Sequence, residues 1–478
     1  MQLKDKLKQD AGLQYVVEAL EVMSAAGRRT LLEQPWLTDV AALEQEATNV
    51  ELTVRLMRDP ANKMPFVEMR HQMMELHDLR GTVSALAHHT VVDEIELFEI
   101  KSFAYHTMRT VRAADQVGLS ATLALPDVQA VFDLLDPDHT GMPNFYVYDS
   151  YDPRLQPLRE QLRGLQSQLA AREREAAEPS VLVPLQQAIS DLLEKQSAVQ
   201  AEVVARLCET LWTQAALLDE ALRRMGYTDV LIAKAVQADD WHLCRPTYGG
   251  DDTRYASLWF PRLRHVNEQR HLRYQPIDVA LQPGVCFITG ANMAGKTVLL
   301  KTLSCAQLMA QFGMFVPAEE AQVSLVDDVV ACIGDEQNEM KGLSSYASEI
   351  IKISHTLERA AEERLLILVD EPARTTNPVE GKAIVQALAG MLNGSTSQTM
   401  ITTHYSGLGT ACRRLRVRGF VESMDSVPLS PDTINRFMDY TLLADESDEV
   451  PQEALRIATI LGCHPELIAR ARAALQNP

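Results

Sequence analysis

The sequence predicts a multidomain protein in which an all-α scaffold carrying a coiled-coil arm is followed by an α/β domain built around a phosphate-binding loop. Three observations carry this. Apolar residues recur at helical spacing through roughly the first 150 positions, without the alternation that strands need. Leu155, Leu158, Leu162, Leu165 and Leu169 then repeat at three- and four-residue steps, the seam of a coiled coil. Gly290-Ala291-Asn292-Met293-Ala294-Gly295-Lys296-Thr297 fits G-x-x-x-x-G-K-[ST] and lies between a strand-like and a helix-like run.

Taken in order, the N-terminal region shows Leu13, Val16, Val17 and Leu20 on one helical face and reads as scaffold. The leucine seam stops at Glu178-Pro179. After Pro184 a second helix is expected, with Leu185, Ile189, Leu192, Val199 and Val203 on one side, so that the two helices fold back on each other over about 154–205. Such an arm is either a projecting lever or clamp, or a helical pair packed within the scaffold. Its arginines 154, 159, 163, 172 and 174 are interleaved with Glu160, Glu173, Glu175 and Glu178, the pattern of a solvated mixed-charge face rather than of a phosphate track.

From about residue 264 the texture changes. Apolar runs at Val285 to Thr289, Leu365 to Val369 and Thr399 to Thr403 are separated by helical stretches, as in an α/β domain with a mostly parallel sheet. The predicted division is therefore 1–263 and 264–478. Asp445, Glu446, Asp448 and Glu449 read as a solvated acidic loop before the last helices.

Composition bounds the rest. With 45 Lys and Arg against 65 Asp and Glu, the formal charge is -20. That excludes a global attraction to nucleic acid while leaving room for a local basic groove. The 7 cysteines stand singly with no C-x-x-C pair, which reads as reduced thiols of a cytoplasmic protein rather than a disulfide or zinc framework. The charged first ten residues are not a signal peptide, and no run approaches the ~20 apolar residues that span a bilayer; no membrane partner is expected.

The chemistry concentrates after Val285. Glycines 290 and 295 let the backbone curl so that N–H groups and the positive end of a helix dipole meet an anion. Lys296 is placed to reach outer phosphates, and the Thr297 hydroxyl a magnesium ion. The run Leu365–Val369 delivers Asp370 and Glu371 at its carboxyl end, where open α/β sheets place ligands. Asp370 suits the magnesium shell and Glu371 suits orienting or deprotonating water. His404 ends the next run; it either faces the terminal phosphate or is a structural histidine. Ser344 or Ser345 suits the start of a helix, as a cap or as an anion site.

These residues resemble a known family. The T-G-A-N-M-A-G-K-T run, K-G-L-S-S-Y, D-E-P-A-R-T-T and T-H-Y, in this order, are similar to the ATPase domain of the MutS family, which belongs to the ABC class. Gly27-Arg28-Arg29-Thr30-Leu31-Leu32 with Pro35-Trp36-Leu37 resembles the start of that family's core/lever domain. Ala454-Leu455-Arg456-Ile457-Ala458, Gly462 and Pro465-Glu466-Leu467-Ile468 resemble its dimerising helix-turn-helix, here about 451–475. The resemblance implies a homodimeric ATPase using ATP and Mg2+, with Gly290, Asn292, Gly295, Lys296 and Thr297 on phosphate and metal and Asp370 on metal. It implies Glu371 on water, His404 at the γ-phosphate and Ser344 across the dimer interface. Tyr274 falls where the family stacks an aromatic on adenine, although a core tyrosine is the competing reading.

Several positions depart from the pattern. Ala291 and Ala294 replace a proline and a glycine, Gln337 stands where an aspartate is usual but can reach the metal as in ABC relatives, and Pro372, Ala373 and Thr375 alter the loop after the acids. Slow but real ATPase activity is the expectation. The core resemblance begins almost at Met1, so no mismatch-reading or connector domain is expected, and Phe66-Val67-Glu68 only superficially matches the family's mismatch wedge. A clamp closing on branched or otherwise non-standard DNA is the first expectation. The alternative is a chaperone-like ATPase acting on a protein such as a B12-dependent aminomutase, which the acidity favours.

Overall fold

The computed structural model describes all residues except 176–177, 292–293, 334–344, 410, 421–436, 446–454, 456–457, 460–461 and 477–478. The chain forms two compact units. One comprises Val22–Leu32 and Thr53–Ala233; the other gathers Met1–Glu21, Glu33–Leu52 and Lys234–Pro478. A single cut at 263/264 does not describe this division, because the N-terminal segments and residues 234–263 lie with the half of the sequence that carries the glycine-bounded loop.

The first unit is helical. Glu94–Val117, its central helix, opens with a reciprocal capping box between Asp93 and Glu96 and ends at Gly118 in the left-handed conformation, as start and stop chemistry requires. Inside it Lys101 is fully buried. Its ammonium pairs with Asp136 Oδ1 at 2.9 Å and donates to the Tyr148 hydroxyl and the Asn144 carbonyl, the partners that a buried charge demands.

The arm consists of helices Leu155–Arg174 and Pro179–Trp212, which pack against each other. Arg154 at the start of the first reaches Glu202 near the end of the second, so they run in opposite senses. Leu155 and Leu162 are buried, as are Val199 and Val203, whereas Leu158, Leu165, Leu169, Leu185, Ile189 and Leu192 are half-buried. The second helix begins at Pro179, not after Pro184 as expected. Pro179 occupies the first helical position, where its missing N–H costs nothing. Pro184 lies inside the helix and forfeits one bond near a terminus.

The second unit holds both sheets. Six strands lie in the order β10-β9-β4-β8-β7-β6, with β4 Gly284–Thr289, β6 Asp328–Cys332, β7 Leu365–Asp370, β8 Gln398–Thr402, β9 Arg413–Phe420 and β10 Met438–Ala444. Only the β9–β10 pairing is antiparallel. A four-stranded sheet, β1-β5-β2-β3, uses β1 Thr247–Tyr248, β2 Thr253–Leu258, β3 Ile277–Leu281 and β5 Glu320–Val323. Two of its strands thus precede residue 264.

All six residues of β4 are buried, as expected of a parallel strand covered on both faces. Val285, Phe287, Ile367 and Ile401 face a cluster with Ile353, Val385 and Leu388 from helices Ser345–Ala360 and Pro378–Leu392. The helix Lys296–Gln311 packs against β6, β7 and β8 and is buried along nearly its whole length. Each large side chain so buried contributes roughly 1.5–3 kcal/mol.

The N-terminal segments complete this unit. Lys6 pairs with Asp328 beside β6, Asp10 accepts from Ser304 of the helix Lys296–Gln311, and Lys234 pairs with Glu46. No helix among the described residues is long and apolar enough to cross a membrane. Of the proposed C-terminal pair, only Pro465–Gln476 is a described helix.

Candidate functional site

The site forms where β4, β7 and β8 end side by side. Parallel pairing sets Asp370 opposite Thr402, so their side chains meet across adjacent strands. Gly290 leaves β4 with φ +149, and Gly295 caps the helix Lys296–Gln311 with φ +76 and no side-chain acceptor on its first turn. Both values lie where L side chains are strained. The turn is also tight: a Cβ on Gly295 meets the Tyr440 ring at 3.1 Å.

Lys296 is 6% exposed. Its ammonium donates to the Gly290 carbonyl at 2.8 Å and the Ala291 carbonyl at 3.3 Å and stands 3.4 Å from Glu371 Oε1. The Thr297 hydroxyl donates to Asp370 Oδ2 at 2.7 Å, and the Thr402 hydroxyl donates to Asp370 Oδ1 at 2.6 Å. Thr402 also accepts from the Glu371 N–H at 2.9 Å. Sequence reasoning missed it, because its place beside Asp370 is set by strand register.

Glu371 has φ +46 and Ala373 φ +57, so the chain leaves β7 through two left-handed residues. Arg374 stands 3.6 Å from Glu371 Oε2. The Glu371 carboxylate is therefore bracketed by cations from the loop helix and from its own turn.

Tyr274 lines a cavity of about 610 Å³ with Ala294, Gly295, Val298, Val417 and Tyr440. Its hydroxyl accepts from the Phe260 N–H at 2.8 Å, and burial pushes its phenol above the ordinary value. It is tethered as a core tyrosine is, and it also walls the space beside the glycine loop. Tyr440 of β10, which shares that wall, carried no sequence signal.

His404 is exposed, its ring centroid 4.2 Å from that of Tyr405. Asn292, Gln337 and Ser344 lie outside the described residues. The structure thus brings together Gly290, Gly295, Lys296, Thr297, Asp370 and Glu371, with Tyr274 along the adjoining cavity.

Fold and site define a class: an α/β domain whose glycine-bounded turn joins a buried parallel strand to a helix, with an acidic pair ending a neighbouring strand. Residues 286–477 match the family described as MutS domain V. Among curated relatives, the endonuclease MutS2 of Pelotomaculum thermopropionicum is 31% identical over 304 residues, covering 62% of this chain and 36% of that protein. The endonuclease MutS2 of Ligilactobacillus salivarius is 30% identical over 269 residues, covering 55% and 31%. The DNA mismatch repair protein MutS of Thermus aquaticus is 31% identical over 277 residues, covering 58% and 32%. Residues 286–477 thus belong to the MutS domain V family, and the matched stretch of the chain spans about a third of the length of these relatives.

Proposed function

We propose that the protein is a homodimeric ATPase that couples ATP binding and hydrolysis to closure of a clamp on DNA, branched or otherwise non-standard rather than simply mismatched. The observation that carries this reading is the convergence of Lys296, Thr297, Asp370, Thr402 and Glu371 at one end of the sheet, within the stretch that matches MutS domain V.

The residues fit a nucleotide with magnesium. Gly290 and Gly295, both at positive φ, leave the two ends of the loop without a Cβ, so phosphate oxygens can approach backbone N–H groups there, and Lys296 offers a buried ammonium beside them. Among the described residues no cluster of three or more His, Cys, Asp or Glu is placed to hold a metal, and nucleotide-bound Mg2+ needs only one or two protein oxygens besides phosphates and waters. Thr297 and Asp370 would provide these. When bound, Mg2+ neutralises charge on the phosphates being separated.

Hydrolysis then follows from the chain's own groups. On nucleotide entry Lys296 turns from the Gly290 carbonyl and Glu371 to a phosphate oxygen, which frees the Glu371 carboxylate for water. Glu371 orients that water and accepts its proton as the oxygen attacks the γ-phosphorus; the bond to the β–γ bridging oxygen breaks, and ADP leaves with that electron pair. Tyr274 and Tyr440 wall the cavity for the base. By resemblance, Asn292 and Gln337 serve phosphate and metal, His404 the γ-phosphate, and Ser344 the partner's nucleotide, while the arm and the helix Pro465–Gln476 belong to the clamp and its dimer contact. This is the activity of a cytoplasmic protein.

The test is steady-state ATP turnover. Lys296→Ala is expected to lower hydrolysis by at least about a hundredfold, since it removes a preorganised cation from the phosphates. Turnover like that of the unaltered protein removes the site assignment.

A further inference from the structure

The backbone of Ala373, two residues beyond Glu371, is held on both sides by residues that no part of the proposed hydrolysis uses. Its N–H donates to Glu349 Oε1 at 3.0 Å, from the helix Ser345–Ala360. Its carbonyl accepts from the Tyr405 hydroxyl at 3.1 Å, just past β8. Tyr405 is 9% exposed and Ala373 fully buried. The hydroxyl reaches Ala373 only because position 381 is glycine: a Cβ there would stand 2.2 Å from the Tyr405 hydroxyl and 3.0 Å from the Ala373 carbonyl.

This grip falls on strained backbone. Glu371 and Ala373 both have positive φ, which non-glycine residues hold only where surrounding contacts over-determine them. No glycine eases the turn, and Pro372 between the two fixes its own φ. Hydrogen bonds at the Ala373 N–H and carbonyl are the external restraints that define its orientation. Through Pro372, that orientation sets where the Glu371 carboxylate points. Glu349 is half-buried, and burial raises its carboxyl above the ordinary range against the pull of the Ala373 N–H and Arg374, as for a group kept there for one bond.

The geometry points to Glu349 and Tyr405 as positioning residues that lock the two peptide groups flanking Ala373, hold the left-handed Glu371–Ala373 turn and thereby aim the Glu371 carboxylate at the attacking water. This rests on the proposed ATP hydrolysis. It adds a connection: Glu349 stands on the first turns of Ser345–Ala360 and Tyr405 directly follows His404, so a shift of either element moves the Glu371 turn.

The experiment is ATP hydrolysis by the full chain, separating kcat from KM, with nucleotide affinity measured alongside. Glu349→Ala and Tyr405→Phe are each expected to lower kcat about tenfold, the scale of a small misplacement of a reacting group, with KM and nucleotide affinity within about twofold of the unaltered protein. Glu349→Gln keeps an acceptor for the Ala373 N–H and is expected to restore kcat to within about threefold. Because both side chains restrain one residue, the double variant is expected to lose little more than either single one. Unchanged kcat in Glu349→Ala, or equal losses in Glu349→Ala and Glu349→Gln, overturns the positioning role while the ATPase reading stands. Absence of hydrolysis by the unaltered protein instead overturns the reading on which it rests.

Discussion

Gly295 shows how narrowly single positions are specified at the loop. An alanine there must adopt φ +76 and bring its Cβ to 3.1 Å from the Tyr440 ring. The left-handed backbone alone costs roughly 1–2 kcal/mol, and displacing Tyr440 adds to it. Gly295→Ala is therefore expected to weaken nucleotide binding by about tenfold or more, at 1.4 kcal/mol per decade, read by fluorescence titration; unaltered affinity shows that the turn is not part of the binding surface. Gly290, Gly295, Lys296 and Thr297 were legible in sequence because a strand, a glycine-bounded turn and a helix leave a local pattern, and Asp370 and Glu371 because an apolar run ends on them. Thr402, Tyr405, Glu349 and Gly381 were not. They meet the turn through strand register and helix packing across intervals of 8 to 32 residues, which no local pattern encodes.

At the scale of elements, the helix Glu94–Val117 depends on an ion pair that is also a pH sensor of stability. Burial pulls the Asp136 carboxyl upward, but hydrogen bonds from Thr140, Lys101 and the Gly141 N–H outweigh it and bring it from 3.8 to about 2. A carboxylate lowered in the folded state stabilises fully above its unfolded value, and that contribution is lost as pH falls. The window here is 3.8 down to about 2. Asp136→Asn is expected to flatten the dependence of melting temperature on pH in that window; an unchanged acid limb shows the pair to be thermodynamically silent. Lys101→Met should cost about 3–5 kcal/mol, because it leaves a carboxylate buried without its cation. The arm illustrates the limit of reading elements from pattern. Its leucine spacing was visible, yet Pro184 was read as a boundary because interior proline usually is one, whereas Pro179 had already started the helix.

For the whole molecule, the formal charge of -20 makes the proposed DNA engagement a matter of local surface and of the proposed dimer. Glu371→Gln is expected to bind ATP without hydrolysing it and to accumulate as a dimer, seen as a nucleotide-dependent rise in mass by light scattering; a constant mass argues against the clamp. In that state, affinity for branched DNA is expected to exceed affinity for plain duplex and to fall steeply with salt, as phosphate contacts require. No binding at low salt removes DNA as the partner. The cut at 263/264 was not where the contacts divide, because an amphipathic segment shows that it must be covered but not by what. Lys6, Asp10 and Val16 find Asp328, Ser304 and Gln237 only hundreds of residues later. On a ribosome adding ~5–20 residues per second, Asp10 waits on the order of 15–60 s for Ser304 to be synthesised. Throughout that interval Leu13 and Val16 lack their final covering, and a fragment beginning at residue 264 would in turn lack the partners of Asp328 and Ser304, which makes it an unsuitable object for refolding.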